Sequence, residues 1–231
     1  MVSNSDVWVV VPVFNEAPVV RGVLEGLRAN FDNVVAVDDG STDGSAAEIE
    51  ASGAHLVHHP FNLGAGAALQ TGVTFALLDP GARYLVTFDA DGQHRVEDAV
   101  SMVERLRSTP VDVLIGSRFL GAATNMRLSR RFLLKSARLF DRASSGIALT
   151  DAHNGLRAFT RRFAELLELR VADMGWASEF LTRLAQSGLP YAEHPVTVEY
   201  TSYSLAKGQP SINSVNIGMD VVLNRMLRGH R

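Results

Sequence analysis

"RYLVTFDADGQH", residues 83–94, runs from an apolar stretch directly into two acids, a glycine, an amide and an imidazole. Open parallel sheets gather their ligands outside the carboxyl ends of the strands, so a buried strand that ends in such a cluster is informative about the fold. Four further stretches have the same form: "VWVVVPV" (7–13), "NVVAVDD" (33–39), "AHLVHH" (54–59) and "VDVLIGS" (111–117). Helix-length segments near 17–29, 43–52, 65–78 and 95–108 separate them. Continuous rather than alternating hydrophobicity predicts strands covered on both faces, and hence a doubly wound α/β unit with a mostly parallel sheet over residues 1–117.

The second half is less regular. Residues 127–145, "RLSRRFLLKSARLFDRASS", read as a helix with Phe132, Ser136, Leu139 and Ala143 on one stripe and Arg127, Arg131, Lys135, Arg138 and Arg142 on another. Beyond it we expect a short strand at "LRAF", a helix near 176–187, a strand over 192–200 and a C-terminal helix near 211–228.

Composition narrows the function classes. The 231 residues are 46% hydrophobic, enough for a sizeable core. With 22 basic and 25 acidic residues the net charge is -3, which argues against electrostatic binding of nucleic acid. No cysteine is present, so disulfides, thiolate metal sites and thiol nucleophiles are excluded. The N-terminus lacks the basic start of a signal peptide, and no run approaches the ~20 apolar residues that span a bilayer. The expectation is a soluble or peripheral protein.

Polar clusters follow each expected strand: "PVFNE", "DDGSTDGS", "NLGAGAA", "DADGQH" and "GSR". In "DADGQH", Asp89 and Asp91 offer two carboxylates to a hard cation and Gln93 a neutral oxygen, a set that suits Mg2+ or Mn2+ bridging to a diphosphate; the same residues also suit a solvated turn. Asp38 and Asp39 repel at the end of a buried strand, which a cation or a base N–H would relieve, while Ser41 or Asp43 suits a helix cap. Gly64 and Gly66 either admit a phosphate or make a tight strand-to-helix turn.

As an ordered set, VVPVFNE, VDDGSTDG, NLGAGAA, FDADGQH, GSRF and DAHNGLRAF resemble the inverting glycosyltransferase family 2, and within it the dolichol-phosphate mannose synthase-like group. The likeness runs from about Val9 to about Gln209. It implies one GT-A domain over 1–231, a Rossmann-like sheet flanked by helices, with a nucleotide-sugar half at 1–117 and an acceptor half at 118–231. It further implies that Pro12, Phe14, Glu16, Gly64, Gly66 and Ala90 line the nucleotide pocket and that Asp39 bonds the base. Asp89 and Asp91 match the acids at the donor diphosphate and its metal, with Gln93 near the ion. Arg118, with Arg130 or Arg131, would meet an acceptor phosphate, and Asp151 and Arg157 match an acceptor-side element. Glu179 falls where hydroxyl-using relatives carry a base. Asn154-Gly155-Leu156-Arg157 departs from the usual Ser-Gly-Phe-Arg, and Ala65 replaces a common basic residue.

The implied reaction moves a sugar from a UDP- or GDP-sugar to a polyprenyl phosphate, for cell-envelope glycan or glycoconjugate synthesis. The alternatives are a sugar-hydroxyl acceptor, a nucleotidyl transfer and a silent nucleotide-sugar binding module. Six Lys or Arg against Asp141 alone over 127–142 suit an anionic membrane surface as well as a solvated face. The C-terminal hydrophobic anchors of many relatives have no counterpart here, a role that the resemblance gives to a separate small membrane protein. Together these imply a cytoplasmic enzyme peripheral at the inner face of the cell membrane. "YTSYSLAKGQ" (200–209), with Lys207 and Gly208, suits a lid, Trp8 the core and Trp176 the border of the acceptor groove. His94 carries no assignment beyond supporting its turn.

Overall fold

A computed structural model describes residues 4–124, 147–171, 175–201 and 203. The expected helices at 127–145 and 211–228, together with Arg130, Arg131, Lys207 and Gly208, lie outside the described residues.

The chain runs β1 (Val7–Val13), α1 (Val20–Arg28), β2 (Asn33–Asp38), α2 (Ser45–Ser52), β3 (His55–His58), α3 (Ala65–Leu77), β4 (Tyr84–Thr87), α4 (Val96–Ser108), β5 (Val113–Thr124), β6 (Arg157–Thr160), α5 (Arg161–Ala164), α6 (Trp176–Ser187) and β7 (Tyr191–Glu199). Its seven strands form one sheet in the order β3-β2-β1-β4-β6-β5-β7. All pairs are parallel except those of β6, which runs antiparallel between β4 and β5.

Both faces of β1 are covered, which is why its apolar residues do not alternate with polar ones. Val7, Val9, Val11 and Val13 pack with Leu24 and Leu27 of α1 and Met102 of α4, whereas Trp8 and Val10 pack with Leu69 and Val73 of α3. Helix α3 lies close because Gly72 has no side chain. A Cβ there would overlap Cγ1 of the fully buried Val10 and come within 3.3 Å of Val37 Cγ2. The branched Val10 side chain cannot swing clear, so Gly72→Ala should cost about 1–3 kcal/mol of stability, read as a lower urea midpoint at unchanged slope.

The end of the fifth strand departs from expectation. The strand was expected to end at Ser117, but β5 continues to Thr124, placing Arg118 inside it. Its register against β7 shifts between Ser117 and Ala122. Glycine at 121 permits this, since a Cβ there would overlap the Val196 backbone.

Candidate active site

The carboxyl ends of β1 and β2 are bound together by their own loops. Asn15 sits at φ 55, a left-handed conformation that Asn tolerates better than most residues. Its backbone N–H donates to Ser41 Oγ (2.9 Å), and its side-chain oxygen accepts from Thr42 N (2.9 Å). Glu16 N donates to Ser45 Oγ (2.8 Å) and Ala17 N to Asp43 Oδ2 (3.1 Å). "GSTDGS" is thus a brace that holds "PVFNE" in position. Tyr203 Oη donates to Glu16 Oε2 (2.8 Å) from the chain beyond β7. Burial and then the Glu16 bond push the Tyr203 phenol above its usual range.

Asp38 and Asp39 each find donors within the chain that offset their repulsion. His58 Nδ1 lies 2.9 Å from Asp38 Oδ2, and Ser41 N donates to Asp38 Oδ1. Asp39 faces His59 Nδ1 at 2.7 Å and accepts from the backbone N–H groups of Leu63 (2.9 Å) and Gly64 (2.7 Å). The Gly64 N–H is therefore used on Asp39 rather than on a phosphate. Gly66 is buried within α3 and stays off the cleft wall.

At the end of β4 the Asp89 carboxylate is 40% exposed, and His94 Nε2 lies 3.1 Å from its Oδ2. The His94 ring is otherwise enclosed, edge-on to Phe88 at 5.8 Å. Burial works against ionisation of Asp89. It is outweighed by the His94 hydrogen bond and by the charges of His94, Arg118 and Arg157, which hold Asp89 below the usual carboxylate range. Asp91 goes the other way: burial, then the charge of Asp89, pushes it up to about 6. Gln93 donates to Asp91 from its backbone N (3.0 Å) and its side-chain amide (2.6 Å). Two carboxylates and an amide are hard oxygen ligands that fit Mg2+ or Mn2+. Among the described residues no third acid or histidine completes a metal cluster, so an ion here would draw its remaining ligands from substrate oxygens or water.

Opposite lies the 150–157 loop. Glu193 Oε1, on β7, accepts from Thr150 N (2.7 Å), Thr150 Oγ1 (2.7 Å) and Asp151 N (3.1 Å). Asp151 Oδ2 in turn accepts from Arg118 Nε (2.6 Å) and Arg118 N (3.0 Å), while Arg118 Nη1 donates to Tyr200 Oη (2.7 Å). The Arg118 guanidinium is thereby locked in orientation. At the other end of the loop Gly155 lies directly against the Asp89 carboxylate.

These elements enclose a cleft of about 550 Å³. On its wall stand Pro12, Phe14, Glu16, Asp39, Gly64, Asp89, Ala90, Asp91, Gln93 and Arg118 of the expected set. Asp151 is behind the wall as the buried partner of Arg118. Two expectations are corrected. Arg157 is fully buried, its guanidinium between the rings of Trp176 (4.4 Å) and Phe180 (4.2 Å) and bonded to the carbonyls of Ala152 and Asn154, so it does not reach the cleft. Glu179 also lies off the wall: its Oε2 accepts the backbone N–H groups of Arg170 (2.7 Å) and Val171 (2.8 Å). Trp8 is in the core, as expected, and Trp176 stands on the cleft wall. His94 and His153 also line it. The sequence signal for His94 was its place beside the acids; for His153 it was an imidazole inside "DAHNGLR".

Among the described residues no helix is long and apolar enough to cross a membrane. The model of glycosyl transferase family 2 matches residues 8–167. A UDP-N-acetylglucosamine–dolichyl-phosphate N-acetylglucosaminyltransferase of Methanococcus voltae is 29% identical, over 87% of this chain and 89% of its own. A polyprenol monophosphomannose synthase of Mycolicibacterium smegmatis is 28% identical, over 96% of this chain and 87% of its own. Among solved structures, glucosyl-3-phosphoglycerate synthase of Mycobacterium tuberculosis, in complex with Mn2+, UDP and phosphoglyceric acid, superposes with a TM-score of 0.70 at 17% identity, covering 90% of this chain and 73% of that one.

Proposed function

The chain belongs to glycosyl transferase family 2, and from that premise we propose that it transfers a sugar from a UDP- or GDP-sugar to a polyprenyl phosphate in a single inverting displacement. It is a glycosyltransferase of the dolichol-phosphate mannose synthase-like group with a GT-A fold. The observation that carries the choice of acceptor is where the candidate bases lie. A sugar hydroxyl must lose a proton to a base, whereas a phosphate oxygen is already anionic at neutral pH. Glu179 is off the cleft and bonded to backbone, and Asp151 is paired with Arg118. Of these three acids Asp91 alone faces the cleft, and it is one of the pair that would hold the divalent ion rather than take a proton. A buried, oriented arginine there suits a phosphate, and the names of the two relatives point to phosphorylated polyprenols.

In this reading Pro12, Phe14 and Glu16 flank the nucleotide, and Asp89 and Asp91, with Gln93, would hold a divalent ion. Mn2+ in the solved neighbour supports such an ion. Bound Mg2+ or Mn2+ supplies positive charge to the departing nucleoside diphosphate. Asp89 is held by His94 and Gly155, so its carboxylate is pre-aimed. Arg118, aligned by Asp151 and Tyr200, sets the acceptor phosphate in line with the anomeric carbon, and the attacking oxygen, already anionic, needs no proton transfer. The basic stretch at 127–145 and a small membrane-protein partner would bring the cleft to the inner face of the cell membrane, where the lipid head group is presented for cell-envelope synthesis.

The test is a panel of UDP- and GDP-sugars with polyprenyl phosphate, with Mg2+ or Mn2+ and with chelator. We expect release of nucleoside diphosphate with one donor class, abolished by chelation. Release of pyrophosphate instead, or of nothing from every donor in the presence of membranes, would overturn the reading.

A further inference from the structure

We infer that His153 is a second contact for the acceptor phosphate, beside Arg118, an assignment that rests on the lipid-phosphate reading above. From Asp151 to Phe159 every residue is buried except His153, which is exposed and lines the cleft. A single exposed ring in such a run is carried there by the backbone around it, and that backbone is fixed at both ends. Glu193 holds Thr150 and Asp151 through three hydrogen bonds. Asn154 N donates to Asp151 O, Asn154 Oδ1 accepts from Leu156 N, and Gly155 lies against Asp89. The loop thus touches the donor side through Gly155 and the acceptor side through the Asp151–Arg118 pair, and His153, which follows Asp151 by two residues and precedes Gly155 by two, lines the cleft they share.

Charge in the cleft gives that position its chemistry. Glu16, Asp39, Asp89 and Asp91 line it, and among the described residues Arg118 is the only lysine or arginine on the wall. Nε and Nη1 of Arg118 already serve Asp151 and Tyr200. A phosphate monoester entering beside these acids needs further N–H donors, and an imidazole supplies one whether neutral or charged. Trp176 and Ala177 add apolar wall where the first isoprene would leave the phosphate.

The experiment is calorimetric binding of farnesyl phosphate and of farnesol to the full chain in the presence of UDP and Mg2+, for the wild type, His153→Ala and His153→Gln. We expect His153→Ala to weaken farnesyl phosphate about tenfold, in the range of one hydrogen bond to a charged group. His153→Gln, which keeps a donor, should recover part of that loss. Affinity for UDP and for farnesol should be unchanged, which a general loosening of the loop would not allow. His153 is exposed, so its truncation removes little buried surface. Farnesyl phosphate binding within twofold of wild type in His153→Ala overturns the inference alone. If the wild type binds farnesyl phosphate no better than farnesol, the lipid-phosphate reading falls first and the inference with it.

Discussion

Asp91→Asn is expected to lower kcat about 10³-fold, the scale seen when one group that stabilises the developing charge is removed, while leaving the chain folded. Asparagine keeps an oxygen for Gln93 N, so the turn survives. What is lost is one of two negative charges that would hold a divalent ion. UDP or GDP affinity without metal should therefore be unchanged, and the gain in affinity on adding Mg2+ should disappear. A variant retaining kcat within tenfold of wild type would remove the acid pair from the chemistry.

Gly155→Ala should be nearly as damaging, although the residue carries no functional group. A Cβ at this position would come within 2.5 Å of Asp89 Cγ, with the two carboxylate oxygens nearer still. The backbone of Gly155 is not left-handed, so alanine is strained only by that contact. Asp89 must turn away from His94 or the loop must retreat from Asp89. Displacements of about 1 Å at a reacting centre cost roughly 10²-fold, and we expect kcat to fall by that order. Asp89 is partly exposed and has room to move, so the thermal midpoint should fall far less than that of the core-clash variant Gly72→Ala. A Gly155→Ala enzyme with kcat within twofold of wild type would show that Asp89 tolerates displacement.

Most of the strand layout was legible because β1, β2 and β4 are covered on both faces and therefore read as unbroken apolar runs; β1 occupies the expected residues 7–13. The antiparallel insertion of β6 between β4 and β5 was not. "LRAF" reads as a strand, but its neighbours lie some 40 to 75 residues away, and local pattern carries no information on pairing partners. The same limit explains the site residues that moved. Arg157 carries the charge expected of a phosphate ligand, yet rings from α6, far along the chain, enclose it. Asp39 ends its strand as expected, but His59 and the turn before α3 had already supplied its donors. Glu179 is an acid in the first turn of a helix whose partners are two backbone N–H groups at 170 and 171. By contrast, Asp89, Asp91 and Gln93 follow an apolar strand within six residues, and so local sequence was sufficient to place them.

The most direct test of the account is the identity of the product. Incubation of the wild-type chain with a sugar-labelled nucleotide donor, Mg2+ and polyprenyl phosphate should move label into the organic phase. The recovered lipid should carry one sugar on a phosphate, labile to mild acid, with the anomeric configuration inverted relative to the donor. Label found instead on a glycan hydroxyl, or a sugar phosphate of retained configuration, would contradict it.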